Sequence, residues 1–223
     1  MFERVISFVG ENNFNKIKDV TVLVVGLGGV GGYAVESLIR SGIYNIILID
    51  FDKIDLSNLN RQIITNQNNI GKYKTDVMQE RILSINPECH VITHNIFLDK
   101  DNINILDNYQ IDYIIDACDS VGTKKLLIDY SLEKNIELIS SMGTAKKIDP
   151  TKLAIMDIRK TSYDPLAKII RKYVFDKKIN GKIMVVSSTE EPIQSETLSS
   201  LMFVPATAGI LCTKYVISDI INK

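Results

Sequence analysis

The chain has 223 residues, of which 45% are hydrophobic and 24% charged, enough to bury a sizeable core without staples and too apolar for a disordered chain. Its three widely spaced cysteines, Cys89, Cys118 and Cys212, exclude a paired disulfide framework and fit a reducing compartment, so the expected location is cytoplasmic. The net charge of −1 hides a block: residues 144–182 carry 11 Lys+Arg against 4 acids (net +7), between a net of −6 over 1–143 and −2 over 183–223.

In chain order, MFERVISFVGENNF lacks the basic-then-apolar layout of a signal peptide. Residues 20–25 read as a strand, 30–40 as a helix ended by Gly42, and 45–49 as a second strand. A helix over 74–85 stops at Asn86-Pro87; strands follow at 90–94, 113–116 and 137–140, with helices near 102–106 and 123–134. Beyond Pro150, two further strands (153–158 and 183–188) flank a basic helix over 165–173, and a loop over 188–200 leads to a last helix at 206–221. The apolar stretch 198–217 is interrupted by Ser, Thr, Pro205 and Lys214, which favours a buried helix over a membrane span and leaves a weak peripheral membrane association open. Short apolar runs alternating with amphipathic stretches specify an α/β fold, Rossmann-like, with a mostly parallel sheet and helices on both faces. One domain over 1–223 is expected, a nucleotide-binding core at 1–145 extended by C-terminal strands and helices at 146–223.

The densest signal is VLVVGLGGVGG at 22–32, where Gly26, Gly28 and Gly31 satisfy G-x-G-x-x-G between a strand and a helix. Free N–H groups and the positive end of the helix dipole suit a phosphate there, whether of NAD or ATP, although a tight helix–strand contact makes the same demand for glycine. Asp50, ending the second strand, has the spacing of an acid that holds ribose hydroxyls. DFDKIDLSNLNRQ at 50–62 adds Asp52, Ser57, Asn58 and Arg61, and GKYKTD adds Lys74. A plain dinucleotide needs little positive charge beyond the helix end. A triphosphate under attack needs cations, since charge accumulates on the leaving group. In IIDACDS, Asp116 and Asp119 fall at the C-terminal sheet edge, and Asp119 is either a Mg2+ ligand or the cap of the next helix, with Ser120 beside it. His90 and His94 share a strand face without the partners a metal pair requires.

These motifs, with IGKYKTDVMQERILSINPE, resemble the adenylating core of the ThiF/MoeB/HesA family, relatives of ubiquitin-activating enzymes, over the first 145 residues. The resemblance implies an ATP site made of Gly26, Gly28, Gly29, Gly31, Asp50, Asp52, Ser57, Asn58, Arg61, Lys74, Asp119 and Ser120. Within it Arg61, Lys74 and Asp119 are the catalytic residues, Lys74 serving the pentavalent phosphorus and Asp119 the Mg2+. It also implies a homodimer, in which Arg4 loosely matches an arginine lent to the neighbouring site. The two C-x-x-C pairs of sulfur-carrier-activating members are missing, so no zinc is expected, and no cysteine lies between Cys118 and Cys212 to take up an activated acyl group.

SSMGTAKKIDP, DIRKTSYDPLA and FVPATAGILC resemble the branch of tRNA threonylcarbamoyladenosine dehydratases, which implies ATP-dependent cyclisation of a modified adenosine in tRNA. The nucleophile then belongs to the substrate, so no catalytic cysteine is needed. A tRNA partner would account for the basic block, with Lys146, Lys147, Arg159, Lys160, Lys168, Arg171 and Lys172 as candidate phosphate contacts; a solvated lysine-rich face is the plainer alternative. Two other readings remain at this point: an adenylyltransferase acting on a ubiquitin-like sulfur carrier, and an NAD-dependent oxidoreductase or nucleotide-binding regulator. A cysteine desulfurase or sulfur-acceptor system as a further partner is also left open.

Overall fold

Runs such as TVLVV, NIILI and YIID have no polar face, so their strands must be covered on both sides. A computed structural model, which describes residues 1–196 and 199–223, shows how this is met. Strands β1 (Thr21–Val25), β2 (Asn45–Ile49), β3 (His90–His94), β4 (Tyr113–Asp116), β5 (Glu137–Ser141), β6 (Leu153–Asp157) and β7 (Met184–Ser188) form one sheet in the order β3-β2-β1-β4-β5-β7-β6. Every neighbouring pair is parallel except β6 with β7. Alternate residues of β1 serve opposite faces. Val22 and Val24 enter one apolar cluster and Leu23 and Val25 the other.

On the first face lie helices α2 (Glu11–Asp19), α3 (Gly31–Arg40), α4 (Lys74–Ile85) and α7 (Phe203–Asn222); on the second, α5 (Val121–Lys134) and α6 (Pro165–Asp176). Helix α7 is long and apolar enough to cross a bilayer by length and composition, yet half of that stretch is buried. It lies so close to α3 that a Cβ on Gly209 would meet the Val30 carbonyl, and Thr213 Oγ1 donates to the Ala34 carbonyl at 2.9 Å. Pro205 is tolerated because it stands in the first turn, where no intrahelical N–H bond is lost.

The expected fold class and the parallel core are present. Several bounds shift by one to three residues, as where α7 starts at Phe203 and α6 runs on to Asp176, and three differences have a plain physical cause. The N-terminal pair α1 (Glu3–Val9) and α2 was not expected, because α1 buries none of its residues and α2 only Phe14 and Ile17, too few for a periodic signal. The helix anticipated near 102–106 is a 3-10 helix, Ile103–Asn108. Strand β6 ends at Asp157, one residue early, because the Asp157 carboxylate accepts the Arg159 N–H and opens a 3-10 turn at Ile158. The start of the apolar stretch 198–217 and part of the loop 188–200 lie outside the described residues.

The strand order reverses between β1 and β4, and ligands of open α/β sheets bind at the carboxyl ends flanking such a point. Gly26 sits there with φ +90°, and a Cβ would stand 2.8 Å from the Ala117 carbonyl oxygen on the neighbouring strand end. Substituting Gly26→Ala is therefore expected to cost about 1–3 kcal/mol, read from the urea unfolding midpoint.

Candidate active site

The loops beyond β1, β2, β4 and β5 enclose a cavity of about 930 Å³ at the carboxyl edge of the sheet. Of the anticipated nucleotide residues, Gly26, Gly28, Gly29, Asp50, Asp52, Ser57, Asn58, Arg61, Lys74, Asp119 and Ser120 all line it. Gly31 does not. It is the first residue of α3, where a Cβ would strike the Gly26 carbonyl, so its part is to let the helix start close against the end of β1.

Asp50 is only 7% exposed and fixes the glycine loop: Oδ2 accepts the Leu27 N–H at 2.6 Å and Oδ1 the Asp52 N–H at 2.8 Å. Burial pushes its carboxyl above the usual carboxylate range, while the Lys74 ammonium and the two N–H donors pull it back. Lys74 opens α4, almost wholly buried, with Nζ 2.6 Å from the half-exposed Asp52 carboxylate. Asp55 and Asn58 cap each other across the short 3-10 helix Leu56–Asn58, which fixes the direction of the Ser57–Arg61 segment. Arg61 spends one terminal nitrogen on the Ser57 carbonyl (2.8 Å) and the Asn60 Oδ1 (2.9 Å). Its Nε and other terminal nitrogen have no partner among the described residues, leaving part of the guanidinium fork for an oxyanion.

Ser120, not Asp119, caps α5: its Oγ accepts the Thr123 N–H. Asp119 stands exposed on the cavity wall with no ion-pair partner among the described residues. Asp116 departs from expectation. It has no exposure and is shut beneath the cavity floor in an ion pair with Lys124, equally buried. The Lys124 ammonium reaches both Asp116 oxygens at 3.1 Å, Ser140 Oγ at 3.2 Å and the Ser141 carbonyl at 2.8 Å, while Ser140 Oγ donates to Asp116 at 2.6 Å.

The basic candidates do not share one environment. Lys160, Lys168 and Lys172 are exposed and carry no ion pair among the described residues. Arg159 is held by Asp157 and the Ile179 and Gly181 carbonyls, Arg171 by Thr161, and Lys146 donates to the Ser195 carbonyl at 2.6 Å. Lys147 is 4% exposed and faces Asp164 inside the protein, so it does not belong to a surface that meets phosphates.

Residues 2–203 match the sequence model of the ThiF family. The chain belongs to the ThiF family. Among curated ThiF relatives, the tRNA threonylcarbamoyladenosine dehydratase of Bacillus subtilis is 37% identical over 96% of this chain and 92% of its own length. The dehydratase of Escherichia coli is 39% identical over 89% and 77%. The crystal structure of the E. coli tRNA N6-threonylcarbamoyladenosine dehydratase in complex with ATP superposes with a TM-score of 0.93 at 34% identity, covering 99% of this chain and 93% of that one.

Several residues lining this cavity were not among the expected site residues. Phe51 and Phe97 meet edge to face, centroids 5.1 Å apart, half exposed at the rim. Met142, Gly143, Thr144, Ala145 and Leu166 form a second wall, and Ser199, Ser200 and Pro205 reach the cavity from the far end of the chain. Most of them lie in motifs the sequence did offer (SSMGTAKKIDP, DIRKTSYDPLA, FVPATAGILC), but their place on this cavity is set by the topology. Cys118 packs against Asp116, which together with burial pushes its thiol far up, and burial pushes Cys212 up to about 12. Replacing Lys124 by Met would leave the Asp116 charge buried and alone. An unfolding loss of about 3–5 kcal/mol is expected in denaturant titration, largely recovered when Asp116→Asn is added.

Proposed function

We propose that this chain is an ATP-dependent tRNA threonylcarbamoyladenosine dehydratase working in the cytoplasm. The threonyl carboxylate attacks the α-phosphorus of ATP and displaces pyrophosphate, and the carbamoyl nitrogen, losing its proton, then closes on the activated carbonyl carbon and expels the phosphate-linked oxygen. Substrate oxygen leaves with AMP, and the net change in the tRNA is the loss of one water. The observation that carries this reading is one cavity in which the glycine loop, Arg61, Lys74 and Asp119 converge, in a chain that aligns over 96% of its length with a relative of that name.

The residues suit the task. Loop N–H groups at the α3 terminus and the open part of the Arg61 fork receive phosphate oxygens, and Lys74, pre-set by Asp52, adds a second cation where charge develops on the leaving group. The apolar rim at Phe51, Phe97 and Leu98 offers a base-sized slot beside Asp50 and its ribose-facing loop. Asp119, free of protein cations among the described residues, is the residue that would hold Mg2+. No cluster of three or more His, Cys, Asp or Glu stands among the described residues, which fits a cation that takes one or two carboxylates and fills its shell with phosphate oxygens and water. When bound, the ion would neutralise charge on the triphosphate.

Exposed Lys160, Lys168 and Lys172 are our candidates for the tRNA backbone. The clefts beside α1, where Arg4 stands near Phe8 at 89% exposure, are our candidate for a homodimer contact. The sulfur-carrier reading is less favoured, because similarity to the dehydratases runs on through the C-terminal third.

Two outcomes test this. Arg61→Ala is expected to lower ATP-dependent cyclisation about 100-fold or more with the circular dichroism spectrum unchanged; full activity in that variant contradicts the mechanism. The affinity for tRNA is expected to fall steeply with salt, and the joint change Lys168→Ala, Lys172→Ala to flatten the log–log slope by about one unit for each phosphate no longer neutralised. A salt-independent affinity contradicts the assigned tRNA surface.

A further inference from the structure

The cavity has two halves of different origin. The phosphate-directed half comes from the loops after β1 and β2. The other half is the turn that follows β5, with the first residues of α6 opposite it: Gly143, Thr144, Ala145 and Leu166. Since β5 neighbours β4, this second wall lies one strand spacing, roughly 5 Å, further along the sheet edge than Asp119. That is the side from which an acyl substrate can approach a nucleotide seated at the glycine loop.

What holds this wall is buried behind it. Lys147 Nζ donates to the Gly143 carbonyl at 2.9 Å and lies 3.7 Å from Asp164 Oδ2, the two side chains being 2% and 1% exposed. Asp164 Oδ1 accepts the Leu166 and Ala167 N–H groups at 2.8 and 3.1 Å, so one carboxylate fixes the start of α6. A Cβ on Gly143 would come within 3.1 Å of both Asp164 oxygens, which shows how closely turn and helix are drawn together. Asp164 Oδ2 has no hydrogen-bond partner among the described residues, so the Lys147 charge is what compensates it. A buried ion pair of this kind is a poor way to gain stability, since two desolvated charges often do no better than apolar replacements. Its geometric consequence is specific: Lys147 and Asp164 tie the Gly143–Ala145 turn to the start of α6, and so set the spacing of the two parts of this wall.

We propose that Lys147 and Asp164 are positioning residues for the acyl-acceptor half of the site, holding the Gly143–Ala145 turn and the start of α6 at the spacing that admits the threonylcarbamoyl group. Lys147 thus acts inside the protein and contacts no tRNA phosphate. This rests on the dehydratase reading above.

The test uses full-length protein, ATP and tRNA bearing threonylcarbamoyladenosine, comparing wild type with Lys147→Met, and with Lys147→Met combined with Asp164→Asn. The double change removes both charges while an asparagine can still cap α6, so it keeps the experiment readable if the single variant unfolds. In the double variant, thermal stability is expected to stay near that of wild type, while kcat/KM for the tRNA falls about tenfold or more, the scale that small misplacements reach. KM for ATP is expected to move by less than about twofold, and the salt slope of tRNA affinity to stay at the wild-type value. Normal kcat/KM for tRNA in the double variant, an equal loss toward ATP, or a flattened salt slope would each overturn the proposal. A wild-type protein that forms no cyclic product overturns the dehydratase reading and this inference together, whereas an active wild type with an equally active double variant overturns the inference alone.

Discussion

The site depends on a charge that never meets solvent. The Lys124 ammonium, shut beneath the cavity floor, binds the end of β4 through Asp116 and the end of β5 through Ser140 and the Ser141 carbonyl, while its own backbone belongs to α5. The segment bearing Asp119 lies between Asp116 and α5, and the acceptor wall begins directly after Ser141. One ammonium, its three N–H donors shared among Asp116, Ser140 and the Ser141 carbonyl, therefore fixes the relative placement of both, at the desolvation cost that any buried ion carries and that only complete hydrogen bonding offsets.

A second anchor does the same for the nucleotide side. Asp50 ties the loop after β1 to the loop after β2 through two N–H groups, and Lys74 is drawn toward that corner by Asp52. The floor and the phosphate corner are thus both held by carboxylates that accept from backbone or ammonium donors. Groups left open to a ligand, the free part of the Arg61 fork and the exposed Asp119 carboxylate, are carried on these fixed supports. Such preorganisation allows charge to be stabilised as it forms, without rearrangement at that moment.

Much of this was legible in the sequence, for identifiable reasons. Strands buried on both faces must be apolar along their whole length, so β1, β2, β4 and β5 announce themselves. The cavity-lining residues from Gly26 to Lys74 were legible as a group because they fall in one stretch of motifs, and the fold brings them to one cavity. Burial of charge was not legible. Asp116 reads as a ligand at the sheet edge until Lys124 is seen to consume it, and Lys147 reads as one of a basic run until Asp164 is found beside it. A count of lysines carries no sign of which ones face inward. Helix α1 escaped for another reason: at seven residues it is too short for a firm helical period, and its apolar residues Val5, Phe8 and Val9 are not buried in the core.

In the proposed reaction the attacking carboxylate and the closing nitrogen both belong to a tRNA nucleoside, and ATP drives their condensation. Mass analysis of nucleosides from tRNA incubated with the protein and ATP tests it most directly. Threonylcarbamoyladenosine is expected to disappear and a species lighter by one water to take its place, only when ATP is present. Unchanged threonylcarbamoyladenosine with ATP present would contradict it.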